Sequence, residues 1–212
     1  IALVDAHYDA TEPLRDRMQK DHDLYRLEPF DAGEGYQSYT SNDPQTYAEK
    51  VIGWIAGAEM TVRIPHDAAD PELRERNELK ERFLIGITRA ADERLMRMLL
   101  PTLRDQLGWY AAIRGWVAGR ALLAKRSDGT TYVDITPWDP MHTYWCVGDD
   151  GLDWACYKVA KTKAQILSQY NIKVDWDTSY KDDAIEVYDF YDKEVNTILI
   201  HNGSSSNPLI RI

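Results

Sequence analysis

Phenylalanine is scarce in this chain of 212 residues, with three copies against 13 tyrosines and seven tryptophans. Cysteine is scarcer still: two residues are too few for a disulfide framework. Long hydrophobic runs are missing. The best candidate for a membrane span, residues 108–124, contains Arg114 and Arg120, and each would be expensive in hydrocarbon. Ile1–Val4 is too short and lacks the basic lead of a secretory signal. A basic excess is missing too. A net charge of −10 argues against a continuous cationic footprint that grips the outside of a duplex, though not against a protein that surrounds DNA without holding it. No G-x-x-x-x-G-K, G-x-G-x-x-G, H-E-x-x-H or G-x-S-x-G occurs, which removes the commonest nucleotide, zinc-protease and serine-hydrolase signatures. An initiator Met is also lacking, and the chain stops within the apolar run Pro208–Ile212, so a piece of a longer polypeptide is expected.

What remains is the balance of a soluble globular protein, 44% hydrophobic and 28% charged. Tyr and Trp chosen over Phe suit positions that are half core and half wet or partner surface. The chain is organised around Leu103–Trp145. At helical spacing Leu103, Gln106, Leu107, Tyr110, Ile113 and Val117 form one stripe, widened by Trp109, Ala112 and Trp116, with Gly119 ending the pattern. Two extended runs follow, Arg120–Lys125 and Thr130–Thr136, joined through the hairpin signal Asp128-Gly129. Pro137-Trp138-Asp139-Pro140 then closes the unit as a rigid corner. Such a unit is a scaffold device.

Before it, Ala2–Leu27 reads as a charged helix with Pro13 near a helix start, and Pro29–Pro44 as a loop. Gln45–Met60 reads as a helix with Tyr47, Val51, Trp54, Ile55 and Ala58 on one side. Met60–Pro65 follows as a short extended piece. Asp70-Pro71 opens a long charged helix to Leu100, its stripe being Leu79, Phe83, Ile87, Ala91, Leu95 and Met98. Its i,i+4 pairs Glu72–Arg76, Glu78–Arg82 and Glu93–Arg97 suit either a solvated face or a subunit contact. After the corner come a second hairpin, Thr143–Val147 with Asp153–Val159, and a short helix, Lys163–Tyr170, capped by Thr162. Lys173–Asp183 reads as a loop and Ala184–Tyr191 with Glu194–Ile200 as a third hairpin, before a flexible turn at His201–Asn207. The expected class is α+β, with a helical region over 1–101 and a central helix plus antiparallel hairpins over 102–212.

Candidate chemistry is thin. Asp134, Asp139 and His142 could serve a metal-dependent hydrolase, although Asp139 also suits an Asx turn and His142 a structural hydrogen bond. Asp149, Asp150 and Asp153 lack the bidentate Glu of a calcium loop. Cys146 and Cys156 flank a turn and could pair across strands, but two buried free thiols are the expectation, and with His142 they still lack a fourth zinc ligand. Arg114 falls within the central stripe, about 20° from Leu103. It either extends outward along its methylenes or is buried against Asp134 or Asp139; pairing is the expectation.

The run Trp116-Val117-Ala118-Gly119-Arg120-Ala121-Leu122-Leu123, then Asp128-Gly129, then Val133-Asp134-Ile135-Thr136-Pro137-Trp138-Asp139-Pro140-Met141-His142-Thr143-Tyr144-Trp145, resembles the wing region of tailed-bacteriophage portal proteins. The long charged helix before it, and the segment Tyr36–Ala48 leading into a helix, match that family's order of elements. The resemblance covers about residues 36–200. It implies a non-enzymatic structural subunit of a dodecameric ring at one capsid vertex of the virion, assembled in the host cytoplasm. Implied partners are identical subunits, the major capsid protein, the terminase motor, a head–tail adaptor, and double-stranded DNA passing in at packaging and out at ejection. Stem and clip are not seen here, so no DNA-contact residue is carried over. No catalytic residue, cofactor, metal or membrane is implied. The structural and interface candidates are Trp109, Arg114, Trp116, Trp138, Asp139 and Trp145. Another virion ring or tail adaptor is the nearest alternative.

Overall fold

The structure, a computed structural model, describes residues 1–29, 32–59, 61–65, 71–125, 128–170, 173 and 184–201. In chain order the elements are α1 (Ala2–Ala10), α2 (Glu12–Tyr25), α3 (Asp43–Gly57), α4 (Pro71–Arg97), α5 (Leu103–Arg114), β1 (Ala118–Lys125) and β2 (Thr131–Trp138). A single 3-10 turn, Pro140–His142, precedes β3 (Thr143–Gly148), β4 (Gly151–Thr162), α6 (Lys163–Tyr170), β5 (Ala184–Asp192) and β6 (Asn196–His201). The class is α+β. The first hairpin stands as a two-stranded sheet, and the other two merge into an antiparallel meander in the order β3-β4-β5-β6. No described helix is long and apolar enough to cross a membrane.

Packing divides the chain into two units, Arg17–Asp139, and Ile1–Asp16 together with Pro140–Ile212. A split at 101/102 sorts residues by secondary-structure type. Packing instead puts the first hairpin with α3, α4 and α5, and puts α1 with the four-stranded sheet.

In the sheet-bearing unit both faces of β5 are covered, because its neighbours alternate sides along the strand. Ile185 and Val187 join Ile198, Ile200 and Ile166 of α6 on one face. Tyr188 joins Tyr144, Cys156 and Val4 of α1 on the other, with Trp154, Phe190 and Leu199 packed around them. The β4–β5 pairing that fuses the two hairpins runs from Trp154↔Asp192 to Thr162↔Ala184. Thr162 and Gln165 cap α6 reciprocally, the Gln165 amide donating to Oγ1 of Thr162 and the Thr162 amide to Oε1 of Gln165.

In the other unit α5 is short and well bounded. Thr102 and Asp105 form a capping box, and the Leu103 amide donates to Oδ1 of Asp92 at 2.6 Å. Its C-terminus is set by Gly115, whose φ of 80° is the left-handed conformation that costs glycine nothing. The expected stop at Gly119 is therefore corrected: Gly119 lies within β1, and the helical stripe read through Val117 ends one turn earlier. Gly108 lets α3 approach, since a Cβ there would sit 3.3 Å from Cγ2 of Ile55.

Three further expectations are revised. Ala2–Leu27 is two helices broken at Thr11, with Pro13 in the first turn of the second, where its missing amide removes no helical bond. The α4 stripe splits: Ala91 and Leu95 are buried, whereas Leu79 and Phe83 are 58% and 61% exposed. On α3 it is Ala48 that is buried, and Tyr47 and Trp54 are exposed. The expected cap Asp70, Met60, the loop over 174–183 and the turn beyond His201 lie outside the described residues.

α4 ends on a strained residue. Leu99 has φ 58°, and Leu100 donates back to the Leu95 carbonyl at 2.9 Å, a Schellman-type closure with leucine where glycine is preferred. Leu99 is almost fully exposed, so little packing is lost on removing its side chain. Leu99→Gly is expected to stabilise the protein by about 1 kcal/mol, read as a higher urea midpoint with an unchanged slope.

Candidate functional site

The polar residues of the central stretch meet arginines. Asp134, on β2, is held between Arg94 of α4 and Arg120 of β1; the Arg120 Nη2 lies 3.0 Å from Oδ2, and Arg94 contacts Oδ1. Arg94 also donates to the Ile135 carbonyl at 2.8 Å, so one side chain ties α4 to both backbone and carboxylate of β2. Strand alternation explains the meeting. Leu122 pairs with Asp134 and Arg120 with Thr136, which places Arg120 diagonally across from Asp134 on one face.

Arg114 is buried and paired, not extended outward along its methylenes, and of the two expected partners it meets Asp139. Nε lies 3.3 Å from Oδ1, close enough for an ion pair though not aligned as a hydrogen bond, while Nη2 donates to Oδ2 at 3.4 Å. Nη1 donates to the Met18 carbonyl at 3.1 Å, so this guanidinium joins the last turn of α5, the α2 backbone and the Pro-Trp-Asp-Pro corner. The Trp109 ring centre is 5.5 Å from its central carbon. Trp109 in turn meets His22, Tyr25 and Tyr110 edge-on at 5.9, 6.2 and 5.4 Å.

The remaining candidates fall in different settings. Trp116 is half-buried just past the Gly115 cap, and Trp138 is a core residue paired with Ala118 at the end of β2. Trp145 belongs to the sheet-bearing unit, where its ring lies 4.6 Å from that of His7. His7 also faces Tyr144 and Trp154 edge-on, fastening α1 to the sheet, and burial together with nearby Arg15 lowers its pKa. The residues that composition alone did not single out as surface are Tyr36, Tyr39, Tyr47 and Trp54, all of them open. The exposed Tyr and Trp of α3 share a face at i,i+7, a signal that looks the same whether the face is core or contact.

Asp134, Asp139 and His142 do not form a metal-binding group. Both carboxylates are engaged by guanidinium, His142 is exposed in the 3-10 turn, and no cluster of His, Cys, Asp or Glu among the described residues could hold an ion. Asp153 pairs with Lys193 at 2.7 Å, away from the calcium reading. Both cysteines are free. The register sets Cys156 opposite Tyr144 and Cys146 opposite Trp154, and Cys146 is exposed, contrary to the expectation of two buried thiols.

Removing one partner of a buried pair leaves the other charge uncompensated, so Arg114→Ala is expected to cost about 3 kcal/mol in urea unfolding. Arg114→Lys recovers little, because a single ammonium cannot bridge Asp139 and the Met18 carbonyl as the planar fork does. Unchanged stability in Arg114→Ala would dismiss the pair as a structural tie.

The core around Cys156 sets an alkaline limit. Burial, aided by the Asp189 carboxylate, pushes the Cys156 thiol from 9.0 up to about 12, and burial pushes the Tyr188 hydroxyl from 10.0 up to about 12. Folding thus favours the protonated forms of both. That stability is whole below pH 9 and drains away as pH rises from there through about 12, because the unfolded chain releases the protons first. The urea midpoint is expected to fall steeply across that window, and less steeply in Cys156→Ala despite its lower starting value.

A scan against protein-family models finds no match to this chain, and a search among curated proteins finds none either.

Proposed function

We propose that this chain is a structural, non-enzymatic part of a ring-shaped bacteriophage portal, placed at a capsid vertex of the virion and conducting double-stranded DNA during packaging and ejection. Its partners on this reading are identical subunits in a dodecameric ring, the major capsid protein, the terminase and a head–tail adaptor, with assembly in the host cytoplasm.

The observation that carries the reading is where the central stretch spends its charge. The residues best suited to chemistry, Asp134 and Asp139, are each held by guanidinium groups that tie helices to a hairpin and a corner. The same region also turns large apolar side chains outward, Val117 and Leu123 among them. A scaffold with its charge inside and its large hydrophobic side chains in the open fits repeated subunit contact better than turnover. The net charge of −10 fits as well, since a conduit must let phosphates slide past. The residues Trp116–Trp145, whose sequence carries the family likeness, include this hairpin and corner.

Imaging by electron microscopy and native mass measurement of the full-length polypeptide test the reading. Closed rings with a central opening are expected. Monomers alone under assembly conditions would sink it, and a ring found only on the tail side of the vertex would move the assignment to an adaptor.

A further inference from the structure

The β1–β2 hairpin turns a charged face toward α4. Residues opposed across an antiparallel pair share a face. One face carries Arg120, Leu122, Asp134 and Thr136, and it is this charged face that the C-terminal half of α4 covers through Arg94. The other carries Gly119, Ala121, Leu123, Val133, Ile135 and the buried Pro137, with Lys125 and Thr131 at its turn end. Along β1 that apolar face is open, with Leu123 at 78% exposure.

The same unit holds a second bare surface of different shape. α4 has 27 residues, about 40 Å of helix, whereas an eight-residue strand spans about 27 Å. Its N-terminal half therefore runs beyond what one hairpin can cover, and there Leu79 and Phe83 form an exposed i,i+4 ridge preceded by Glu75.

We infer that these two surfaces are the halves of one contact between neighbouring copies of this chain, the N-terminal half of α4 from one copy lying on the outer face of the β1–β2 hairpin of the next. The inference rests on the ring reading above and names the surfaces that close it. A second copy is the occupant for a geometric reason. The C-terminal half of each α4 is already fixed to the inner face of its own hairpin, so an α4 lying on an outer face is that of another copy. The contact then joins two different patches, the heterologous kind that can close into a ring.

Spacing and charge set the register. From Ala121 to Lys125 the strand advances about 13 Å, and from Glu75 to Phe83 the helix advances about 12 Å. With the N-terminal end of α4 at the hairpin tip, Lys125 meets Glu75, Leu123 meets Leu79, and the small Ala121 receives the large Phe83. Lys125 and Glu75 are both exposed.

The test uses the full-length polypeptide with Cys146→Ser, since that thiol is exposed. Leu79→Cys and Leu123→Cys variants are mixed in equal amounts and treated with a short bis-maleimide. A crosslink between the two variants is expected, formed within assembled rings. Lys125→Glu is expected to weaken association about tenfold, and Lys125→Glu with Glu75→Lys to restore it. Rings that form normally with neither the crosslink nor the charge effect would overturn this contact and leave the ring reading standing. A Leu123→Cys variant that crosslinks only to itself would also overturn it, as a two-fold contact. Failure of the unaltered protein to assemble at all would remove the ring reading and this contact with it.

Discussion

Asp134 sits between two arginines, and much of the helix–hairpin unit follows from that arrangement. A carboxylate on a two-stranded hairpin would ordinarily face water. Here Arg94 reaches from α4 and Arg120 from the neighbouring strand, so the charged face of the hairpin becomes the inside face. Once charge is turned inward, strand alternation leaves no choice about the other side: Gly119, Ala121 and Leu123 must point away from α4. An ion-pair network of this kind is a weak source of net stability, because desolvating three charges offsets most of their attraction. Its use lies in orientation, since only one register and one facing of the hairpin satisfies both guanidinium groups.

Arg114 does for α5 what Asp134 does for the hairpin. The helix has 12 residues, marginal for a free helix in water, and it is fastened at both ends by polar groups from elsewhere. Asp92 of α4 and the Thr102–Asp105 box satisfy its first amides, and Arg114 anchors its last turn to Asp139 and to the α2 backbone. The corner at Pro137–Pro140 is stiffened by its two prolines, and its one carboxylate is taken up by Arg114. In the sheet-bearing unit the equivalent work is done by apolar contacts on both faces of β5, with His7 wedged among aromatic rings where burial disfavours its charged form.

Local signals in the sequence were read well where the physics is local. Asp128-Gly129, Asp149-Asp150-Gly151 and Thr162 placed two turns and a cap close to where they occur, because turn and cap chemistry acts over a few residues. The angular position of Arg114 also sufficed to expect a buried pair, though not to choose Asp139 over Asp134; that choice depends on how the hairpin faces α4. Gly119 was taken for the helix stop because the stripe of large side chains continues past Gly115, and periodicity cannot see a left-handed residue. The apolar residues of α3 and of the N-terminal half of α4 were legible as faces and illegible as inside or outside. Tyr47, Trp54, Leu79 and Phe83 have the spacing of a core and the exposure of a surface. The fusion of two hairpins through β4 and β5 is a long-range pairing, and nothing in either strand alone announces it.

The interior arginines are matched by interior acids. Three guanidinium groups, Arg94, Arg114 and Arg120, are drawn inward against two carboxylates, Asp134 and Asp139. Asp189 of the sheet-bearing unit is a third inward carboxylate, so this set balances, and the net −10 falls to the exterior. Several solvent-facing cations are neighbours of acids, as in the Arg74–Glu78–Arg82 run on α4 and Glu93–Arg97. Such pairs add little stability and are screened by salt. Cations already faced by carboxylates attract a polyanion weakly, which on the proposed portal reading lets duplex DNA pass without being held.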